Sequence, residues 1–418
     1  MLKRIAPLML MACLRSVAQP ADVLYDEAKV PKFTLPNLFT LRDGVRMRDA
    51  KSWSGWRRSE ILVLYETEVF GKTPGRPSKL NYEVKGVEKG VLGGKADRKI
   101  VTVYFDETRQ GPKMDLLIYL PAGAKKAVPV FLGLSFAAVH TVANDEGVPL
   151  GSQWVRGVKE ASPESSRGSA AQQWQVEKIL AAGYGLATVD YNDIEPDFVG
   201  GMKYGVRPLY FKPGQSEPPA DEWGAIAAWA WAASRAMDYL EKDAGVDGAR
   251  VALFGHSRLG KTALWAGARD TRFSLVIANE SGEGGAAISR RNYGERTKDL
   301  NTQFPHWFDG NFKKYNGREE EMPFDSHMLL SLIAPRGLYV ASAEEDRWAD
   351  PRGEFLGAAY ASPVWQLFAR KGIDTMQMPE LHQPVGEHVR YHIRAGKHDV
   401  TAYDWEQYLK FAAAEWGR

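Results

Sequence analysis

Short apolar segments alternate with segments of helical spacing over most of the chain after residue 128. Runs of strand length occur at 128–134, 185–191, 250–254, 274–279, 337–343 and 389–393. Helical patterns lie at 173–182, 223–242, 261–268, 364–370 and 403–414. Strands that alternate with helices predict a mostly parallel sheet with helices on both faces, which is an α/β architecture of three layers.

The segment before residue 128 has a different pattern. Residues 81–84, 99–105 and 114–120 alternate between apolar and polar side chains and are separated by glycine-rich turns. This pattern predicts antiparallel strands at one edge of the sheet. A lead-in rich in proline and charge covers about 21–76, and two loop-like insertions at 144–168 and 196–219 are predicted to wall a site. No internal repeat is seen, and residues 20–418 are predicted to form a single domain.

The first nineteen residues have the pattern of an export signal. Lys3 and Arg4 precede a short apolar run, and small residues follow at the cleavage position. We therefore predict a signal peptide over 1–19 and a periplasmic or secreted protein. Cys13, the only cysteine, ends a lipobox-like Leu10-Met11-Ala12-Cys13, so a lipid anchor is the alternative. No later apolar run is long enough to span a bilayer, and no integral membrane segment is expected after signal removal.

Charge and aromatic content indicate which ligands the protein is expected to bind. The chain has 54 Lys and Arg against 52 Asp and Glu, with a formal net charge of +2 and no clustered basic stripe. Nucleic acid is therefore not an expected partner. The 13 Trp and 17 Tyr offer faces that stack on sugar rings, although aromatic residues also serve simply to pack the core.

The clearest chemical signal is a serine in a turn directly after the apolar run at 251–254. The segment Gly255-His256-Ser257-Arg258-Leu259-Gly260-Lys261 places this serine between two small residues where a strand is predicted to pass into a helix. Such a turn exposes a serine hydroxyl and lets other groups approach it, which is typical of a nucleophile. A tight structural turn without chemistry is the alternative.

A serine nucleophile needs a base and an acid that orients the base. In α/β-hydrolase chains these follow the serine in the order acid, then histidine. His398 lies between the last predicted strand and the C-terminal helix and is the candidate base, whereas His392 lies inside the strand and is interpreted as structural. Glu280 and Asp346 each follow a predicted strand, and both remain candidates for the acid.

With these residues in place, the chain resembles the glucuronoyl esterases, carbohydrate esterase family 15, from about residue 36 to residue 416. The serine segment matches the family's Gly-Cys/His-Ser-Arg-x-Gly-Lys, Glu280-Ser281-Gly282 matches its acid segment, and His398 precedes Tyr403-Asp404-Trp405 as its base does. The resemblance implies an α/β-hydrolase fold. It favours Glu280 over Asp346 as the orienting acid, although bacterial members often carry an additional acid at the position of Asp346.

The resemblance also implies a reaction. This reaction is hydrolysis of the ester between (4-O-methyl-)glucuronic acid on xylan and a lignin alcohol. Ser257 is implied to be the nucleophile, His398 the base, and Arg258 the residue that stabilises the oxyanion. Lys261, Glu295 and Trp348 are implied to bind the sugar. We expect no cofactor, no metal and a monomer. The alternatives are an acetyl-xylan or general carboxyl esterase, and a catalytically silent carbohydrate-binding protein of the same fold.

Overall fold

A nine-stranded sheet forms the centre of the protein. The computed structural model describes residues 20–77 and 80–417, so the predicted signal peptide and Cys13 lie outside the described residues. The strands are β1 (Asn81–Gly90), β2 (Ala96–Tyr104), β3 (Lys113–Pro121), β4 (Val128–Ser135), β5 (Ser152–Val155), β6 (Val158–Ala161), β7 (Gly185–Asp190), β8 (Val246–His256), β9 (Leu275–Asn279), β10 (Gly337–Ala343) and β11 (Val389–Arg394). The sheet has the order β1-β2-β3-β7-β4-β8-β9-β10-β11, and β5 and β6 form a separate hairpin.

The sheet is antiparallel at one edge and parallel over the rest. Strands β1, β2, β3 and β7 pair antiparallel in that order, whereas every pair from β7 through β11 is parallel. Asn279 at the end of β9 pairs with His256 of β8 on one side and Ala341 of β10 on the other. The carboxyl ends of β8, β9 and β10 therefore lie side by side at one edge of the sheet.

Helices cover both faces of the sheet. Along β4, Val130 and Leu132 belong to one apolar cluster and Phe131 to the other, as expected for side chains that alternate across a strand. The helices are α1 (Ala50–Ser52), α2 (Arg58–Glu68), the single turn α3 (Val91–Gly94), α4 (Ala171–Trp174), α5 (Val176–Ala181), α6 (Tyr191–Ile194), α7 (Ala225–Leu240), α8 (Arg258–Arg269), α9 (Thr297–Gln303), α10 (Ser326–Ser331), α11 (Pro351–Ala361), α12 (Pro363–Gln366) and α13 (Ala402–Trp416).

The two layers of helices are of unequal size. Helices α2, α7, α8, α10 and α11 contribute to the larger cluster, whereas α5 and α13 cover the opposite face. Every residue of α7 is buried, which places this helix inside the larger layer. The structure thus confirms the α/β fold with three layers. Among the described residues, no helix is long and apolar enough to cross a bilayer.

Three local predictions differ from the structure. The predicted helix over 173–182 is two short helices, because Gln175 between them takes a left-handed conformation with φ of 46°. The helix predicted over 364–370 ends after one turn at Gln366. The insertion at 144–168 was predicted to be loop-like but contains the hairpin β5–β6.

The connection from β8 to α8 consists of one residue, Ser257. The chain therefore reverses sharply, and a Cβ atom at Gly255 would lie 1.9 Å from the carbonyl oxygen of Leu259 in the first turn of the helix. Real Cβ atoms do not approach a backbone oxygen so closely, so any larger residue at 255 has to displace the start of α8.

We expect Gly255→Ala to lower the free energy of unfolding by about 2 kcal/mol or more, because backbone atoms must move to admit the methyl group. Denaturant unfolding followed by circular dichroism measures the loss. Gly55→Ala is the matched control, since a Cβ at Gly55 meets nothing within 4 Å. Wild-type stability of Gly255→Ala would contradict this account of the turn.

Candidate active site

Ser257 occupies a strained backbone position. Its φ of 57° and ψ of −128° lie outside the regions that a non-glycine residue ordinarily adopts, and its N–H donates to the carbonyl oxygen of Asn279 at 2.9 Å. Glu280, directly after β9, also has a positive φ, of 48°. Strain of this kind persists only where the surroundings hold it, and it is concentrated at functional sites. The residue is partly exposed, so its hydroxyl lies near solvent.

His398 lies in the loop between β11 and α13 and reaches back to the end of β8. Its ring lies against the ring of His256, the residue before the serine, with 4.4 Å between ring centroids. Its Nδ1 is 2.6 Å from Asp346 Oδ2 and 3.0 Å from Glu280 Oε2. Both candidate acids thus contact the same nitrogen. The arrangement leaves Nε2 as the ring nitrogen that can act as a base.

The two acids differ in their other contacts. Glu280 is 1% exposed and accepts from Arg394 Nη2 at 2.7 Å through Oε1 and from the Asp399 N–H at 2.9 Å through Oε2. Asp346 forms no ion pair with a lysine or arginine in the described part of the chain. Arg394 therefore partly balances the charge of Glu280, whereas no arginine or lysine pairs with Asp346, and the charge of Asp346 also disfavours ionisation of Glu280.

Burial and charge act in opposite directions at this cluster. Burial raises the pKa of Glu280 to about 7, against the downward effect of His398 and Arg394. Burial lowers the pKa of His398, but hydrogen bonds to Asp346 and Glu280 outweigh it and raise the pKa above its ordinary value. Because 38% of the His398 side chain is exposed, water screens part of this effect. Burial also holds the pKa of His256 well below its ordinary value.

Arg258 is the first residue of α8, so its backbone N–H is the one that follows the serine. Its Nη1 donates to Asp197 Oδ2 at 2.5 Å, and its side chain is 18% exposed. Three aromatic rings surround the guanidinium at 4.9–5.8 Å from its central carbon: Phe136, Phe304 and Trp307. This arrangement holds a positive charge on the side chain of the residue that follows Ser257.

The three predicted sugar-binding residues lie together. Lys261 is 4% exposed, donates through Nζ to the Ser281 carbonyl at 2.6 Å and lies 3.9 Å from Glu295 Oε2. The Glu295 N–H donates to the Trp348 carbonyl at 2.9 Å. Burial lowers the pKa of Lys261 and raises the pKa of Glu295. The gap between the Lys261 and Glu295 side chains is too long for a direct hydrogen bond.

Comparison with known proteins identifies the family. A sequence profile described as "Glucuronyl esterase, fungi" matches residues 218–369. A carbohydrate esterase from an unknown prokaryotic organism is 49% identical over 402 residues, covering 94% of this chain and 92% of the relative. The solved glucuronoyl esterase from Solibacter usitatus is 71% identical with a TM-score of 0.92, covering 93% of this chain and all of the other. This chain belongs to the glucuronoyl esterases.

A second solved structure of the family is also similar to this esterase. It is described as a promiscuous esterase of carbohydrate esterase family 15 from the marine bacterial metagenome, and it is 47% identical with a TM-score of 0.87. The alignment covers 94% of this chain and all of the other. The resemblance inferred from the motifs and the α/β-hydrolase fold that it implied are thus confirmed.

The structure places every candidate residue at one edge of the sheet, but it adds residues that the sequence did not reveal. Asp197 pairs with Arg258, His306 contacts Asp197 and Arg394 pairs with Glu280, although no motif surrounds these three residues. Their partners are far away in sequence. The only available signal was the position of Asp197 in an insertion predicted to wall a site.

A metal site was not expected from residue spacing, yet the structure brings three suitable side chains together. Ligand atoms of His256, Glu280 and His398 lie within 4.8 Å of one another. Each side chain already has a hydrogen-bond partner, however: His256 Nδ1 contacts Asn279 Oδ1 at 2.5 Å, Glu280 contacts Arg394, and His398 contacts Asp346. Neighbouring residues thus hold these three side chains in place.

We expect Asp346→Asn to shift the acid limb of the pH profile of kcat/KM to lower pH. The carboxylate raises the pKa of His398, and only the neutral ring accepts a proton, so activity rises with pH through that pKa. Removing the charge lowers the pKa by about one unit or more. The pH dependence of kcat/KM on a uronate ester measures the shift.

Glu345→Gln is the matched control, because it removes an exposed charge from the residue next to Asp346. Glu345→Gln should leave the acid limb of the pH profile of kcat/KM at its wild-type position. An unmoved limb in Asp346→Asn, or an equal shift in both variants, would show that Asp346 does not control the base.

Proposed function

We propose that this esterase hydrolyses esters of glucuronic acid by a two-step reaction through Ser257. The observation that carries the proposal is the position of His398, whose Nδ1 lies within 3.0 Å of two carboxylates and whose ring lies against the neighbour of the strained serine. Such contacts orient an imidazole and hold its proton on Nδ1, which leaves Nε2 free to take a proton from a nucleophile.

In the first step the Ser257 oxygen attacks the ester carbonyl carbon while its proton passes to His398 Nε2. The tetrahedral intermediate carries a negative oxygen, which the backbone N–H and the guanidinium of Arg258 stabilise. The intermediate collapses, His398 gives its proton to the alcohol oxygen, and a uronoyl ester of Ser257 remains. Water then attacks this ester by the same sequence and releases free glucuronate.

The two acids have complementary roles in this proposal. Glu280 is held on both oxygens, by Arg394 and by the Asp399 N–H, and it fixes the direction of the His398 ring. Asp346 has the shorter contact with Nδ1 and stabilises the imidazolium as it forms. Because each contacts the same nitrogen, loss of one is partly offset by the other.

Sugar recognition is assigned to the buried pair Lys261 and Glu295 together with Trp348. A ring hydroxyl that lies near both can accept from Lys261 Nζ and donate to Glu295 Oε2, and this closes the 3.9 Å gap between them. Trp348 is partly exposed and offers its ring or its N–H to the sugar. An ester carries no charge at its carbonyl, so recognition depends on the hydroxyls.

We infer that the natural ester links (4-O-methyl-)glucuronic acid on xylan to a lignin alcohol, and that the protein works outside the cytoplasm. The support is family membership and the export pattern of the first nineteen residues, with Cys13 as the alternative anchor. A broader esterase that also cleaves acetyl esters is the second candidate, because one similar structure is described as promiscuous.

We expect Ser257→Ala to lose all hydrolysis of benzyl glucuronate, since the hydroxyl forms the new bond, and to keep the unfolding midpoint of the wild type. Release of benzyl alcohol is the measurement, and an acetyl ester assayed beside it separates the two candidate functions. Ser274→Ala, at the amino end of β9, is the matched control and should remain active. A few per cent of residual turnover in Ser257→Ala would eliminate Ser257 as the nucleophile.

Glu295→Ala should raise KM for glucuronate esters and weaken discrimination between glucuronate and galacturonate, because a site that binds a hydroxyl loses affinity when its partner is removed. The raised KM should be about tenfold, with a smaller change in kcat. Glu344→Ala, an exposed acid after β10, is the control. Unchanged KM and epimer preference in Glu295→Ala would reject the assigned sugar contacts and leave the role of Ser257 intact.

A further inference from the structure

Asp197 is a buried carboxylate outside the proposed catalytic residues. It lies in the 196–219 insertion, just after α6, and its side chain is 5% exposed. Four side chains donate to its two oxygens: Arg258 Nη1 at 2.5 Å, Trp307 Nε1 at 2.6 Å, His306 Nε2 at 2.8 Å and Tyr191 Oη at 3.0 Å. One carboxylate thus joins the insertion to the start of α8 and to the segment after α9.

A negative charge is required at this position. The Arg258 guanidinium lies among aromatic rings, and a buried cation is unstable unless an anion faces it. Burial raises the pKa of Asp197, but hydrogen bonding from His306 and the charge of Arg258 outweigh it, so the pKa falls below its ordinary value. All four neighbours donate, so an ionised carboxylate, which only accepts, matches them.

We propose that Asp197 is a positioning residue that holds the Arg258 guanidinium where the oxyanion forms. This inference depends on the proposed role of Arg258. A long arginine side chain has many rotamers, and charge stabilises a transition state efficiently only when it is oriented beforehand. Asp197 holds one end of the guanidinium, whose Nε has no hydrogen-bond partner among the described residues.

His306 completes the arrangement. Its Nε2 faces a carboxylate and therefore carries the proton, and its carbonyl oxygen accepts from the Ala225 N–H at the start of α7. Trp307 both donates to Asp197 and places its ring 4.9 Å from the Arg258 guanidinium carbon. Asp197, His306 and Trp307 thus form one hydrogen-bonded group beside Arg258, built from segments that are about a hundred residues apart.

Asp197 also stabilises the insertion, so a purely structural role has to be separated from positioning. Glu195 offers the matched control, because it lies two residues earlier in the same segment and is fully buried. It pairs with Arg207 through contacts of 2.7 and 2.5 Å and makes no contact with Arg258. Loss of its charge weakens the same insertion without releasing the guanidinium.

The experiment compares Asp197→Asn, Arg258→Ala, the double variant and Glu195→Gln on benzyl glucuronate. We expect Arg258→Ala to lower kcat about 100- to 1000-fold. Asp197→Asn should lower kcat about 10- to 100-fold, with KM within about twofold, because binding of the sugar does not use Arg258. The double variant should be no slower than Arg258→Ala, since Asp197 acts through the residue already removed. Glu195→Gln should lose stability but keep kcat.

The outcomes separate the two claims. Wild-type kcat in Arg258→Ala would overturn the proposed role of Arg258 itself. A slow Arg258→Ala with a wild-type Asp197→Asn, or losses that multiply in the double variant, would overturn the positioning role alone. Equal losses of kcat in Glu195→Gln and Asp197→Asn would show that Asp197 only stabilises the insertion.

A variant that keeps the charge covers the case in which Asp197→Asn does not fold. Asp197→Glu retains the anion on a longer side chain, so it should fold, bind substrate with near wild-type KM and still lose kcat, because the guanidinium is displaced. Wild-type kcat in a folded Asp197→Glu would overturn the proposal, since the position of the carboxylate would then not matter.

Discussion

The parallel pairing of β8, β9, β10 and β11 is the constraint on which the site depends. Neighbouring strands in a sheet lie about 4.8 Å apart, so residues that follow adjacent strands meet without long loops. Ser257 follows β8, Glu280 follows β9 and Asp346 lies three residues after β10. His398 has farther to reach, because β11 lies three strands from β8. The loop after β11 therefore folds back across the strand ends to bring its ring to His256.

Arg394 makes this return of the loop stable. It ends β11, and its guanidinium donates to Glu280 Oε1, to the Asp399 carbonyl oxygen and to Asp404 Oδ2 at 2.6–2.8 Å. Asp404 in turn contacts His392 and caps α13 through Thr401. The loop that carries His398 is thus held between a strand and a helix by one cation and two buried carboxylates. A similar pairing, a partly buried arginine facing a buried carboxylate, recurs at Arg258 and Asp197.

Features that depend on residues close together in the sequence could be predicted, whereas contacts between distant residues could not. Apolar runs revealed the parallel strands of the central sheet, because burial on both faces imposes a local pattern on them. Alternating segments revealed the antiparallel strands β1, β2 and β3. The division at Gln175 was not predicted, since a left-handed residue other than glycine leaves little trace in sequence. Ser257 and His398 could be predicted as the nucleophile and the base from their positions after strands. Glu280 and Asp346 remained alternatives for the acid. The structure shows that both contact His398 Nδ1.

The sequence by itself determined the order of strands and helices, the serine turn and the family, because these depend on short-range spacing and on motifs of a few residues. Only the tertiary structure decided which side chains contact the residues of these motifs. Asp197 contacts Arg258 across 61 positions and His306 across 109, and Arg394 contacts Glu280 across 114. Such pairs satisfy buried charges, and that requirement arises only when the folded chain has excluded water from both partners.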